Sequence, residues 1–158
     1  MLAARPSLAY LGRTLLVENV SSYLEFNCST MTEWEFLAAV AKRTGCGILL
    51  DINNIFVSAT NHQFSPTEYL NAIPAGAVKQ MHLAGHERCD RLLIDTHGAP
   101  IADAVWDLYA KAVRRFGDVP TLIERDTNIP PLVVLIGEAN RAAHVLRENG
   151  HGVANATA

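Results

Sequence analysis

Along the chain, short apolar runs alternate with longer stretches in which apolar positions recur every three or four residues. Uninterrupted apolar runs bounded by polar residues or glycine predict buried strands, and the wider spacing predicts amphipathic helices. Strands are expected at Arg13 to Val17, Ile48 to Leu50, Val78 to Leu83 and Thr121 to Ile123, the third interrupted by Lys79 and Gln80. A helix is expected over Glu33 to Arg43, with Phe36, Leu37 and Val40 on one face and Trp34 joining from the side. Thr32 and Glu35 have the spacing of a capping box at its start, and Gly45 ends it. Ser65 and Pro66 open a short helix over Thr67 to Ala72. Longer helices are expected over Ile101 to Phe116, through Val105, Leu108 and Ala112, and from Pro130 to Arg147, through Leu135, Ala139, Ala142 and Leu146. Loops are expected at Ser21 to Thr30, Ser58 to Ser65 and Ala84 to Pro100.

This is a strand–helix unit repeated four times, with strand ends at positions 17, 50, 81 and 123 spaced by 33, 31 and 42 residues. Those spacings suit right-handed βαβ crossovers and predict an α/β fold with parallel strands. Four such units make either half of a (β/α)8 barrel or a small open sheet. The expected organisation is a residual helix or linker over 1–12, closed by Gly12, the four-unit body over 13–147, and a flexible C-terminal tail over 148–158. The turn from Glu18 to Thr30 contains no glycine, which excludes a dinucleotide cradle.

The polar residue at the end of each strand gives the chain its chemistry. Leu16-Val17 ends in Glu18, Ile48 to Leu50 in Asp51, Val78 to Met81 in His82, and Thr121 to Ile123 in Glu124. In a parallel sheet these ends converge on one edge. Ionised carboxylates at the ends of buried runs need a partner, a hydrogen bond or a metal; a salt bridge from Arg13 or Arg125 accounts for one of them more readily than for three. Asp95-Thr96-His97 places a carboxylate and an imidazole two residues apart, able to reach one ion if extended. Asn19, Asn53 and Asn54 can bind through oxygen or hold carboxylates from behind, and His62 and His86 are candidates for such supporting roles. His144 and His151 belong to the last helix and the tail. A donor set of imidazole nitrogen and carboxylate oxygen, without grouped thiolates, points to iron, manganese or catalytic zinc rather than structural zinc. Glu18, Asp51, His82, Asp95, His97 and Glu124 exceed the needs of one mononuclear site, so two neighbouring ions or a metal with a general base are expected.

Composition narrows the classes. The 158 residues, 49% hydrophobic and 18% charged, suit one globular domain. A formal charge of −3 without a basic stripe argues against nucleic acid. No apolar run reaches membrane-spanning length and no signal peptide is visible, so no membrane partner is expected. Cys28, Cys46 and Cys89 are odd in number and share no ligand spacing, which fits a reducing, cytoplasmic setting. Neither G-x-S-x-G nor a cysteine beside a plausible base supports nucleophilic catalysis.

The runs Leu16-Val17-Glu18-Asn19-Val20-Ser21-Ser22-Tyr23 and Asp51-Ile52-Asn53-Asn54-Ile55-Phe56-Val57-Ser58-Ala59 resemble the multinuclear non-haem iron-dependent oxidative enzymes, formerly a bacterial domain family of unknown function. His82-Leu83-Ala84-Gly85-His86, Leu93-Ile94-Asp95-Thr96-His97 and Leu122-Ile123-Glu124 resemble the same family in the same order, and the likeness covers about residues 8 to 147. It implies a TIM-type (β/α)8 barrel with two or three irons at its C-terminal face. It also implies dioxygen-dependent modification of cysteine residues in a ribosomally made precursor peptide, with a partner protein presenting the peptide. By that resemblance Glu18, His82, Asp95, His97 and Glu124 are the catalytic iron ligands, Glu18 a plausible bridge, and the Asp51-x-Asn53-Asn54 turn supplies one more ligand. Family members are close to twice this length, so the resemblance implies a C-terminal half barrel, truncated relative to them. Such a half is expected to pair with the remaining half or with itself, and to need the N-terminal half for activity. Two other readings stand beside it: a divalent-metal isomerase or hydrolase of the sugar-phosphate-isomerase barrel type using zinc or manganese, and a non-catalytic half barrel that binds a partner.

Overall fold

The computed structural model describes residues 10–150, so the expectations for 1–9 and 151–158 lie outside the described residues. The central sheet has four strands, all parallel, in the order β1 (Leu16–Glu18), β2 (Gly47–Asp51), β3 (Val78–Leu83) and β6 (Thr121–Ile123). Helix α1 (Glu33–Thr44) joins β1 to β2, and α2 (Ile52–His62) with α3 (Pro66–Ala72) joins β2 to β3. Helix α4 (Asp103–Phe116) leads into β6, and α5 (Leu132–Asn149) comes after it. The architecture is an α/β fold whose parallel sheet is consistent with part of a (β/α) barrel. Among the described residues no helix is long and apolar enough to cross a membrane.

Strand register sorts the side chains onto two faces. On one face Ile48, Leu50, Met81 and Leu83 are fully buried and pack with Ile52, Ile55, Tyr69, Val105 and Tyr109 of the helices. Alternation puts Glu18, Leu49, Asp51, Gln80, His82 and Leu122 on the other, where Leu122 is 46% exposed. A register shift between Ile48 and Leu49 decides what meets there: Ile48 lies opposite Val78 but Leu49 opposite Gln80, so Lys79 is the extra residue. A one-residue shift exchanges the faces of a strand. Without it Met81 would stand beside Asp51; with it His82 does.

Several expectations need correction. The first strand is Leu16–Glu18 rather than Arg13 to Val17, because only those residues pair with β2. The expected loop from Ser58 is helical as far as His62, since Asp51 ends β2 and caps α2 at once and no turn residue intervenes. The stretch Ala84 to Pro100 is not all loop: β4 (Glu87–Cys89) and β5 (Leu92–Ile94) form an antiparallel hairpin around Asp90 and Arg91. Phe36 is 52% exposed, because α1 buries Leu37, Ala41 and Thr44 instead. In α5 Ala142 is buried, Leu135 and Leu146 are half-buried and Ala139 is exposed. That helix runs to Asn149, so residues 148 and 149 are helical rather than tail.

Candidate metal centre

Asp51 is fully buried at the junction of β2 and α2. Its Oδ1 accepts from the Asn54 backbone N–H at 2.6 Å, capping the helix where the dipole favours a negative charge. The Asn19 side chain extends the sheet past the end of β1 by mimicking a peptide: its Oδ1 accepts from Asp51 N at 2.8 Å and its Nδ2 donates to Asp51 O at 3.0 Å. Asn54 Nδ2 returns a bond to Asn19 O at 3.0 Å. These contacts leave Asp51 Oδ2 buried without a partner. Burial pushes the Asp51 carboxyl up to about 7, against the bond from Asn54, with the Asp95 charge adding to the rise.

Ligand atoms of Glu18, Asp51, His82 and Glu124 all lie within 4.8 Å of one another. His82 Nδ1 is 3.0 Å from Glu124 Oε2 and 3.8 Å from Glu18 Oε1, while Gln80 Nε2 sits 3.2 Å from His82 Nε2. Burial raises the Glu18 carboxyl, partly offset by His82. His97, Glu124 and Asp126 form a second such group. His97 Nδ1 is 3.2 Å from Asp126 Oδ2 and 3.5 Å from Glu124 Oε2, and its Nε2 is 2.8 Å from Asp95 Oδ1. The Asp95 carboxylate beside its Nε2 raises the His97 imidazole to about 9 against the opposing effect of burial. His97 adopts a left-handed backbone with φ 50°, held by its N–H on Gly85 O and by Asp126 N–H on its carbonyl. Glu124 belongs to both groups.

The remaining candidates take supporting places. Asn53, fully buried, donates from Nδ2 to Asp95 Oδ1 at 2.7 Å and has its Oδ1 2.7 Å from His86 Nδ1, so both ends of its amide are engaged. His86 also lies against the Phe56 ring, and burial lowers its pKa. His62 is not brought to the cluster: its Nε2 meets Ser22 O at 3.0 Å and its Nδ1 faces Glu25. His144 pairs with Glu148 on the exposed face of α5. Asp126 was not singled out from sequence, because it lies in the turn beyond β6 and its side chain is 61% exposed; the only signal was its two-residue spacing from Glu124.

The residues fit a metal. Asp51 keeps a buried carboxylate oxygen without a partner and shares a group with two further carboxylates and an imidazole, a set poorly satisfied by protein groups alone. Nitrogen and carboxylate oxygen donors suit a divalent ion such as iron, manganese or zinc.

Comparison with known proteins identifies relatives of the chain. A family model described as RiPP precursor modification enzyme MbnB/TglH/ChrH matches residues 5–147. A UPF0276 protein of Anaeromyxobacter sp. (strain Fw109-5) is 59% identical over 135 residues, covering 85% of this chain and 48% of that protein. One from Acaryochloris marina (strain MBIC 11017) is 53% identical over 133 residues, covering 84% and 48%. One from Caulobacter vibrioides is 52% identical over 139 residues, covering 86% and 50%. The chain thus spans about half the length of the curated relatives it matches.

Proposed function

This chain belongs to the MbnB/TglH/ChrH family of RiPP precursor modification enzymes, and on that premise we propose that its strand-end residues hold iron for the oxidative modification of cysteine residues in a ribosomally made precursor peptide. The observation that supports the reading is Glu124, whose carboxylate belongs to both groups of candidate ligands and would be common to two ions if each group held one. Glu18, Asp51 and His82 complete one group; His97 and Asp126, with Asp95 beside them, complete the other. Iron, when bound, supplies one-electron redox chemistry with dioxygen and a Lewis-acidic seat for a thiolate.

The chain's own residues supply geometry. Asn19 fixes the backbone of Asp51, Asn53 anchors Asp95, and the left-handed turn at His97 brings its ring back toward Glu124. The full reaction is proposed for an assembly that also contains the remaining half of the longer relatives, together with a partner protein that presents the peptide. The test is incubation of iron-loaded assembly with a cysteine-containing precursor peptide under air and under argon. Oxygen consumption and a peptide mass change seen only under air are expected. Turnover of a phosphosugar with zinc or manganese and no oxygen uptake would contradict the reading and favour a divalent-metal isomerase or hydrolase.

A further inference from the structure

A cavity of about 660 Å³ opens between the segment after β1, the start of α1 and the end of α2. Its volume falls within the range of small-ligand and side-chain pockets. Leu24, Phe26, Met31 and Phe36 line it and are 73%, 66%, 51% and 52% exposed. Single exposed apolar residues are ordinary, but four around one cavity form a patch of the kind used for recognition. The two charged side chains that line it are the acids Glu25 and Glu33, with neither lysine nor arginine among the lining residues.

The floor of the cavity is fixed. Ser22 N donates to Ser58 Oγ at 3.0 Å, and His62 Nε2 lies 3.0 Å from Ser22 O. Trp34 packs on Phe64 with ring centroids 5.0 Å apart. The cavity lining and the metal centre are close along the chain. Ser22 lies four residues beyond Glu18, a span of at most about 14 Å between Cα atoms. A peptide a few residues long can therefore occupy the groove while an adjoining residue reaches the cluster.

We infer that this groove binds an extended, apolar and basic segment of the precursor peptide next to the residue presented to the metal centre. Apolar side chains fill the patch left by Leu24, Phe26, Met31 and Phe36, and a basic side chain answers Glu25. The inference rests on the function proposed above and assigns it a specificity site outside the ligand set.

The experiment is fluorescence anisotropy on the metal-free chain with two labelled probes. One is a short peptide of arginine, leucine and phenylalanine with one cysteine; the other is the same peptide with glutamate in place of arginine. Saturable binding of the first is expected, with binding about tenfold weaker for the glutamate peptide and for the F26D and E25K variants. Both altered side chains are exposed, and unchanged circular dichroism with an unchanged urea midpoint establishes that the variants fold. Equal binding of both peptides, equal binding by the variants, or no saturable binding overturns the inference. A groove filled by a second copy would show as concentration-dependent mass without peptide binding, and overturns it too. Because the readout needs no metal, failure to bind iron or oxidise peptide with groove binding intact would sink the proposed function alone. Iron binding and oxidation with binding indifferent to F26D and E25K would sink the groove alone.

Discussion

Asp51 is at once the last residue of a strand, the cap of a helix and a carboxylate in a buried cluster, and those roles pull its charge in opposite directions. Burial raises its pKa in the folded chain from 3.8 to about 7. Between those values the folded chain keeps a proton that the unfolded chain has released, so stability falls as pH rises through the window. The D51N substitution keeps an acceptor for the Asn54 N–H and removes the charge. Metal-free D51N is therefore expected to resist urea better than wild type at pH 8, with the difference vanishing by pH 4, and to bind metal more weakly. A difference independent of pH would contradict this. Asn19 acts on the same carboxylate from behind, through two bonds to the Asp51 backbone. Asn19→Ala is expected to weaken metal binding by about 10–100-fold in a chelator competition while the chain stays folded. The acids Glu18, Asp51 and Glu124 and the imidazole of His82 were legible in sequence because an apolar run stops at each. Asp126 was not, since an acid in an exposed turn carries no such contrast.

At the level of elements, the sequence disclosed the four parallel strands and the principal crossover helices but not how they are trimmed and joined. Helix α2 stayed hidden because β2 passes into it through Asp51 with no glycine or proline to mark the change. The β4–β5 hairpin stayed hidden because its strands are short and its turn is Asp90-Arg91 rather than a glycine pair. The register shift at Lys79, which brings His82 opposite Asp51, depends on pairing with β2 and has no signature within β3 alone. Burial separates elements that look alike in composition. Leu50 in β2 is fully buried, whereas Leu132 at the start of α5 is 70% exposed. Leu50→Ala is expected to cost about 2–5 kcal/mol in urea denaturation, and Leu132→Ala less than about 0.5 kcal/mol. Equal costs would mean that α5 is packed more closely than its exposure indicates.

At the scale of the molecule, among the described residues the sheet ends in two unpaired edges, β1 and β6, and Leu122 on its cluster-bearing face is 46% exposed. Unpaired edges beside apolar side chains such as Leu15, Leu122 and Ile136 favour association with another sheet. Light scattering on the chain is therefore expected to give a mass above the 17.2 kDa of one copy, falling toward it when Leu122 is replaced by lysine. A monomer at all concentrations would contradict that. The parallel arrangement gathers strand ends from across the sheet into one place, and that gathering makes the candidate metal centre. It is tested most directly by elemental analysis of the chain purified anaerobically with iron supplied, beside the E124A variant. About two irons per chain that survive gel filtration, with both groups depleted in E124A because Glu124 serves each of them, is the predicted result. An iron-free chain, or iron content indifferent to the loss of Glu124, would contradict it.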